Sequence, residues 1–133
     1  MNFTSIEVGL IQLKAIAEYL DQGSAFATFV FYSDAKPVNV SIAADESKRL
    51  VTLTLPKPCF KKLNVDSIEL NQTDAALVIK NGTAKWARLY NGSGTAVTDF
   101  SVGADISIAE PNLIEGSTLM LNSIVLKPTP LPT

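Results

Sequence analysis

Few residues in this chain are of types that do chemistry, and they are scattered. The 133 residues include no histidine and one cysteine, Cys59. Without an imidazole, Ser-His-Asp and Cys-His nucleophile systems and the common zinc ligand sets are excluded. Cys59 stands between Pro58 and Phe60 with no base to ionise it, so it reads as a buried, inert thiol. No Asp-x-Asp loop with a downstream Glu offers oxygens to calcium. No two of the carboxylates are singled out as a glycosidase pair. Asp99 and Asp105 flank a turn, where carboxylates cap backbone amides. The sequence therefore predicts no catalytic, cofactor-binding or metal-binding residue, no cofactor, and a protein that is not an enzyme.

Two aromatic residues remain as candidates for contact with a ligand or partner. Trp86 and Tyr90 lie four apart on one face of an alternating stretch. They read either as core, since such rings supply much of the burial in small β domains, or as a platform for stacking a surface glycan. The triplets beginning at Asn2, Asn39, Asn71, Asn81 and Asn91 match the glycan-acceptor pattern. No charged-then-apolar secretory leader is expected, so they read as turn composition.

Charge points away from nucleic acid. The formal net charge is −2, and the 11 Lys and Arg are dispersed, with Lys48-Arg49 and Lys61-Lys62 the adjacent pairs. A phosphate-tracking surface needs them clustered. No apolar run approaches membrane-spanning length. A lone cysteine precludes an intramolecular disulfide, and the expectation is folding in a reducing cytoplasm.

The elements that would position these residues are mostly strands. Ala75 to Val102 reads as three strand segments separated by turns at Asn81-Gly82 and Asn91-Gly92. The clearest unit is a hairpin in which Trp86, Arg88 and Tyr90 alternate with Lys85, Ala87 and Leu89. Upstream, Thr4-Ser5-Ile6-Glu7 matches a capping box. Ile6, Leu10, Leu13, Ile16 or Ala17, and Leu20 then form one apolar stripe, and Gly23 follows as a C-cap. The stripe predicts an amphipathic helix over about 5–21, packed on a sheet.

Phe26 to Ser33 is apolar on both faces and should lie centrally, with Phe29 and Phe31 opposite Phe26, Val30 and Tyr32. Val38 to Ala44 and Arg49 to Leu55 look like a second antiparallel pair. Pro56 to Phe60 reads as an irregular crossover with Phe60 inward. Ser67 to Leu70, Ala75 to Lys80, Ala104 to Ala109 and Thr118 to Lys127 complete eight or nine short strands. The fold class expected is mainly β: one antiparallel β-sandwich, jelly-roll-like or immunoglobulin-like, with one N-terminal amphipathic helix. It would occupy residues 1–127 as a single domain, with the sandwich over about 26–127 and a proline-rich tail at 128–133.

The run Gly82-Thr83-Ala84-Lys85-Trp86-Ala87-Arg88-Leu89 carries a resemblance. It continues through Gly94-Thr95-Ala96-Val97, Val102-Gly103-Ala104-Asp105-Ile106, Gly116-Ser117 and Ser123-Ile124-Val125-Leu126-Lys127-Pro128. This pattern is similar to a family of short proteins encoded in tailed bacteriophages and prophages, mostly uncharacterised or virion-associated. The leading helix, the strand ending in Tyr32 and the later Pro37 match the same layout. The chain departs from it in lacking a longer Gly-rich insert between Val102 and Asp105 and in its proline-rich tail. The resemblance implies a viral structural protein, made in the bacterial host cytoplasm and located in the virion as a tail or capsid accessory. Its partners would be other virion proteins through protein–protein interaction, as a homo-oligomer within the assembly, with no nucleic acid and no membrane. The alternative is a carbohydrate-binding module using Trp86 and Tyr90.

Overall fold

A computed structural model describes residues 5–64, 67–122 and 124–126, and the helix side chains at Ile11 and from Leu13 onward. Thr4 of the capping box, the stripe residues Ile6 and Leu10, and Lys127 with the tail at 128–133 lie outside the described residues and side chains. Among the described residues the protein is mainly β, with one α-helix, a 3-10 turn at Glu46–Lys48 and several antiparallel sheets.

Helix α1 spans Ser5–Leu20. Within its described part, Leu13, Ala17 and Leu20 are buried, and Ile11 and Tyr19 are exposed, as one stripe requires. Three residues past its end, Gly23 turns the chain with φ 104°, a conformation that costs glycine least. Here the chain also passes very close to a later turn. A Cβ on Gly92 would lie 2.2 Å from the Ala25 carbonyl oxygen and 2.5 Å from that of Gln22. The Gly92 N–H donates to the Leu20 carbonyl, and the Ala25 N–H donates to that of Gly92. Helix end and turn are thus joined backbone to backbone.

The strands in chain order are β1 Thr28–Tyr32, β2 Arg49–Thr54, β3 Phe60–Leu63, β4 Ile68–Leu70, β5 Ala76–Leu77, β6 Gly82–Thr83, β7 Trp86–Tyr90, β8 Ala96–Ser101, β9 Asn112–Leu113, β10 Thr118–Leu119 and β11 Ile124–Leu126. The largest sheet has the order β2-β1-β7-β8, so β1 is internal, as its two apolar faces predict. A second sheet has the order β11-β4-β3, and two-stranded ladders join β10 to β5 and β6 to β9.

Phe29, Phe31, Leu53, Leu89 and Phe100 from the four-stranded sheet share one core with Ile68, Leu70, Ile124 and Leu126 from the three-stranded sheet and with Leu13, Ala17 and Leu20 of the helix. Two sheets on one core give a sandwich-like arrangement. Phe29 stands 5.2 Å, centroid to centroid, from both Phe31 and Phe100.

The β7–β8 hairpin forms where its alternation places it, with Arg88 opposite Asp99 and Ala87 opposite Phe100. Three expected elements differ. Val38 to Ala44 is not a strand; β2 pairs with β1, and the residues between them form a long loop, irregular except for a 3-10 turn at Glu46–Lys48. An Asx turn at Asn39, whose Oδ1 accepts from the Ser41 N–H and hydroxyl, breaks the segment at its second residue. Ala104 to Ala109 is not a strand either. Gly103, at φ 100°, and Asp105, whose carboxylate accepts from the Ser101 N–H, curl the chain back onto the end of β8. The alternation there reflects Ile106 and Ile108 packing against the core without a ladder partner beyond one bridge to Val102.

Asn81-Gly82, the third difference, makes no hairpin, because β5 pairs with β10 and β6 with β9. The stretch Thr118 to Lys127 divides into β10 and β11, and Phe60 opens β3 half-buried.

Candidate functional site

The polar and aromatic residues converge on the face of the four-stranded sheet that points away from the main core. Strand alternation places Val30 and Tyr32 of β1 beside Arg88 and Trp86 of β7, with Asp99 of β8 next to Arg88. Tyr32 and Trp86 are cross-strand partners, and their rings stack at 4.6 Å and 19°. The Arg88 guanidinium lies over the indole, 5.1 Å from its centre.

Every polar atom in this cluster has a partner. Arg88 Nε donates to Asp99 Oδ1 at 2.7 Å and Nη2 donates to Oδ2 at 3.1 Å, a bidentate pair whose side chains are 2% and 5% exposed. The remaining donor, Nη1, reaches the Ile42 carbonyl at 2.7 Å. Trp86 Nε1 donates to Asp34 Oδ1 at 2.9 Å. The Tyr32 hydroxyl donates to Glu46 Oε1 at 3.2 Å and meets the Tyr90 hydroxyl at 2.8 Å. Burial, then the Tyr90 contact, pushes the Tyr32 phenol well above its usual range. The Asp99 carboxylate raises Arg88 further, against the opposing effect of burial. Among the described residues, no buried side-chain nitrogen or oxygen lacks a hydrogen-bond partner.

The structure brings Trp86 and Tyr90 onto one face, but inside the fold. Trp86 has no exposed surface and Tyr90 is half-buried. A ring with no open face cannot stack a sugar, so in this conformation the pair forms packing and not a platform. Contrary to the expectation from the sequence, Asp99 caps no turn; it neutralises Arg88. Asp105 does cap, at the Ser101 amide.

Alternation identified the shared face of Trp86, Arg88 and Tyr90. It did not identify Tyr32, Asp34 and Asp99 as their partners, or Glu46 as the partner of Tyr32, because those contacts span 11 to 58 residues of chain.

The other candidates also have structural employment. Cys59 is buried, its thiol donates to the Ala17 carbonyl, and its backbone N–H donates to Asp21. Burial first, and then the Asp21 charge, pushes the thiol up to about 12, far from the ionised form that nucleophilic attack needs. Of the Asn-x-Ser/Thr asparagines, Asn39, Asn81 and Asn91 accept from backbone amides, and Asn71 donates to the Pro58 carbonyl; Asn2 lies outside the described residues.

An open groove of about 630 Å³ runs along residues 107–122, edged by Ile108, Leu113, Ile114 and Met120, with Glu110 its single carboxylate. A smaller depression of about 380 Å³ beside Lys85 and Ile108 contains none. Neither joins two carboxylates. Among the described residues no group of His, Cys, Asp and Glu could hold a metal ion, and no helix is long and apolar enough to cross a membrane.

Comparisons of this chain with protein-family models, curated proteins and solved structures give no match.

Proposed function

We propose that this chain is a non-enzymatic structural protein of a bacteriophage virion, accessory to the tail or capsid, where it decorates or joins larger components. The observation that carries this reading is the placement of large apolar side chains on the outside. Val38 is 86% exposed, Ile114 67% and Leu77 62%, while buried polar side chains such as Arg88, Asp99 and Tyr32 are spent on internal contacts. Large apolar side chains offered on the outside in this way are suited to contacts with neighbouring protein subunits. The pattern of turns and strand starts from Gly82 to Lys127 supports the same class. The protein would be synthesised in the host cytoplasm, and its partners would be other virion proteins and further copies of itself.

The test is quantitative mass spectrometry of purified particles from a host that carries the gene. The expected result is this chain at a fixed copy number, a small ring for a tail part or a multiple of capsid symmetry for decoration. Particles that lack the chain overturn the proposal.

A further inference from the structure

The connection between β1 and β2 is far longer than reversal requires. The two strands are antiparallel neighbours, with Tyr32 opposite Arg49, and a hairpin turns in about two to five residues. Here the connection runs over residues 33–48. Its ends close on each other, the Ser33 N–H donating to the Lys48 carbonyl at 3.1 Å. Such compact loops with adjoining ends commonly serve function.

The loop lies across the outer face of the sheet, yet its own apolar side chains do not hold it there. Val38, Val40 and Ile42 point outward, 86%, 36% and 44% exposed, and only Ala44 packs against the Val30–Tyr32–Trp86 cluster. What holds it is polar. Arg88 grips the Ile42 carbonyl at 2.7 Å and the Asn39 carbonyl at 3.5 Å, Trp86 donates to Asp34, and Tyr32 donates to Glu46. Apart from the neck at Ser33, no backbone-to-backbone hydrogen bond joins residues 34–45 to the sheet. The main core, on the opposite face of β1 and β7, takes no contribution from this loop.

We propose that residues 34–45 form a strap that lifts from the sheet as one unit while the rest of the fold stays intact, uncovering Tyr32, Trp86 and Tyr90. The strap is attached through Asp34 to Trp86 and through the Asn39 and Ile42 carbonyls to Arg88, with the Glu46 bond to Tyr32 just past its far end, so a small set of contacts breaks together. Local opening of this kind belongs to segments with few buried apolar contacts. The surface beneath is two stacked rings and a phenol beside a guanidinium, kept from solvent only while the strap is down.

Trp86 is the one tryptophan in the chain, so its fluorescence reports on this face alone. In the unmodified protein, acrylamide quenching of Trp86 is measured in rising urea beside far-UV circular dichroism. The expected result is a severalfold rise in the quenching constant before the β signal falls. Quenching that stays flat until the β signal is lost overturns the proposal, since the strap would then open only with global unfolding. A double variant, Arg88→Met with Asp99→Asn, removes the central grip without leaving a buried charge unpaired. If folded, it should show an accessible Trp86 in the absence of urea; a folded variant with Trp86 still shielded also overturns the proposal. Should that variant not fold, the urea measurement on the unmodified protein decides.

Discussion

Arg88 and Asp99 face each other across the β7–β8 hairpin as directly paired residues, joined by two hydrogen bonds and both almost wholly removed from water. A pair of this kind is weak grounds for stability in itself, because desolvating two charges offsets much of their attraction. Breaking it is another matter. Asp99→Ala leaves a guanidinium buried without its counter-charge and should cost about 3–5 kcal/mol. Replacing both, as Arg88→Met with Asp99→Leu, should recover most of that loss. Urea unfolding of the single and double variants checks this; equal losses in the single and double variants would show that the charge pairing is not the cause.

Trp86 gives the second prediction. Its ring is fully buried, stacked on Tyr32, and anchored through Nε1 to Asp34. Trp86→Ala should cost about 3–5 kcal/mol in chemical denaturation. Trp86→Phe should cost less, since it keeps most of the ring and loses mainly the Asp34 bond. A near-neutral Trp86→Ala would mean that the ring is not packed as described.

Cys59 yields a dependence on pH. Its thiol rises from the usual 9.0 to about 12 in the folded protein, so between those values the unfolded chain has lost a proton that the folded chain retains. Stability is fully present below pH 9 and falls as pH climbs toward 12, with a slope of about 1.4 kcal/mol per pH unit for one such group. The Tyr32 phenol, raised in the same direction by burial, steepens the fall at the alkaline end. Cys59→Ala should flatten the slope above pH 9 in urea titrations at a series of pH values. The same burial predicts that native Cys59 reacts with a thiol reagent at pH 8 only as fast as the protein opens.

The helix stripe can be tested at Leu20, which has no exposed surface and sits in the main core with Ile68 and Leu70. Leu20→Ala should cost about 2–5 kcal/mol. Removing residues 1–23 should expose the apolar surface beneath the helix and cause aggregation. A truncated chain that stays soluble with an unchanged melting curve would make the helix a docking arm.

Much of this fold was legible because local pattern and burial agree where a strand or helix contributes one face to the core. The stripe from Leu13 to Leu20, the doubly apolar β1 and the β7–β8 hairpin are of that kind. The misread segments share a cause. Val38-Asn39-Val40-Ser41-Ile42 and Ile106-Ser107-Ile108 have the period of a strand, but a strand also needs a neighbour to pair with. Pairing is decided by distant chain: β1 takes β2 and β7 as partners and leaves no edge for residues 38–44. The site shows the same division. That Trp86, Arg88 and Tyr90 share a face follows from period two. Whether that face is open depends on a loop more than 40 residues earlier, whose Asp34 and Ile42 reach across it.

The last prediction concerns two glycines of one turn. Gly94 has φ 86° and open space around its missing side chain, so Gly94→Ala meets only backbone strain, about 1–2 kcal/mol. Gly92 has an unremarkable φ, and a conformational argument alone would rank its replacement as the milder. Its surroundings reverse that order. An added Cβ would lie 2.2 Å from one carbonyl oxygen and 2.5 Å from another, both backbone atoms of the segment that follows the helix. Backbone cannot swing aside as a flexible side chain can, so the helix end and the β7–β8 turn must separate. That would strain the hydrogen bonds from Gly92 to Leu20 and from Ala25 to Gly92. Gly92→Ala should therefore cost about 3 kcal/mol, at the upper end for overpacking, and more than Gly94→Ala in the same urea series. The reverse ranking would show that the two elements are not in backbone contact.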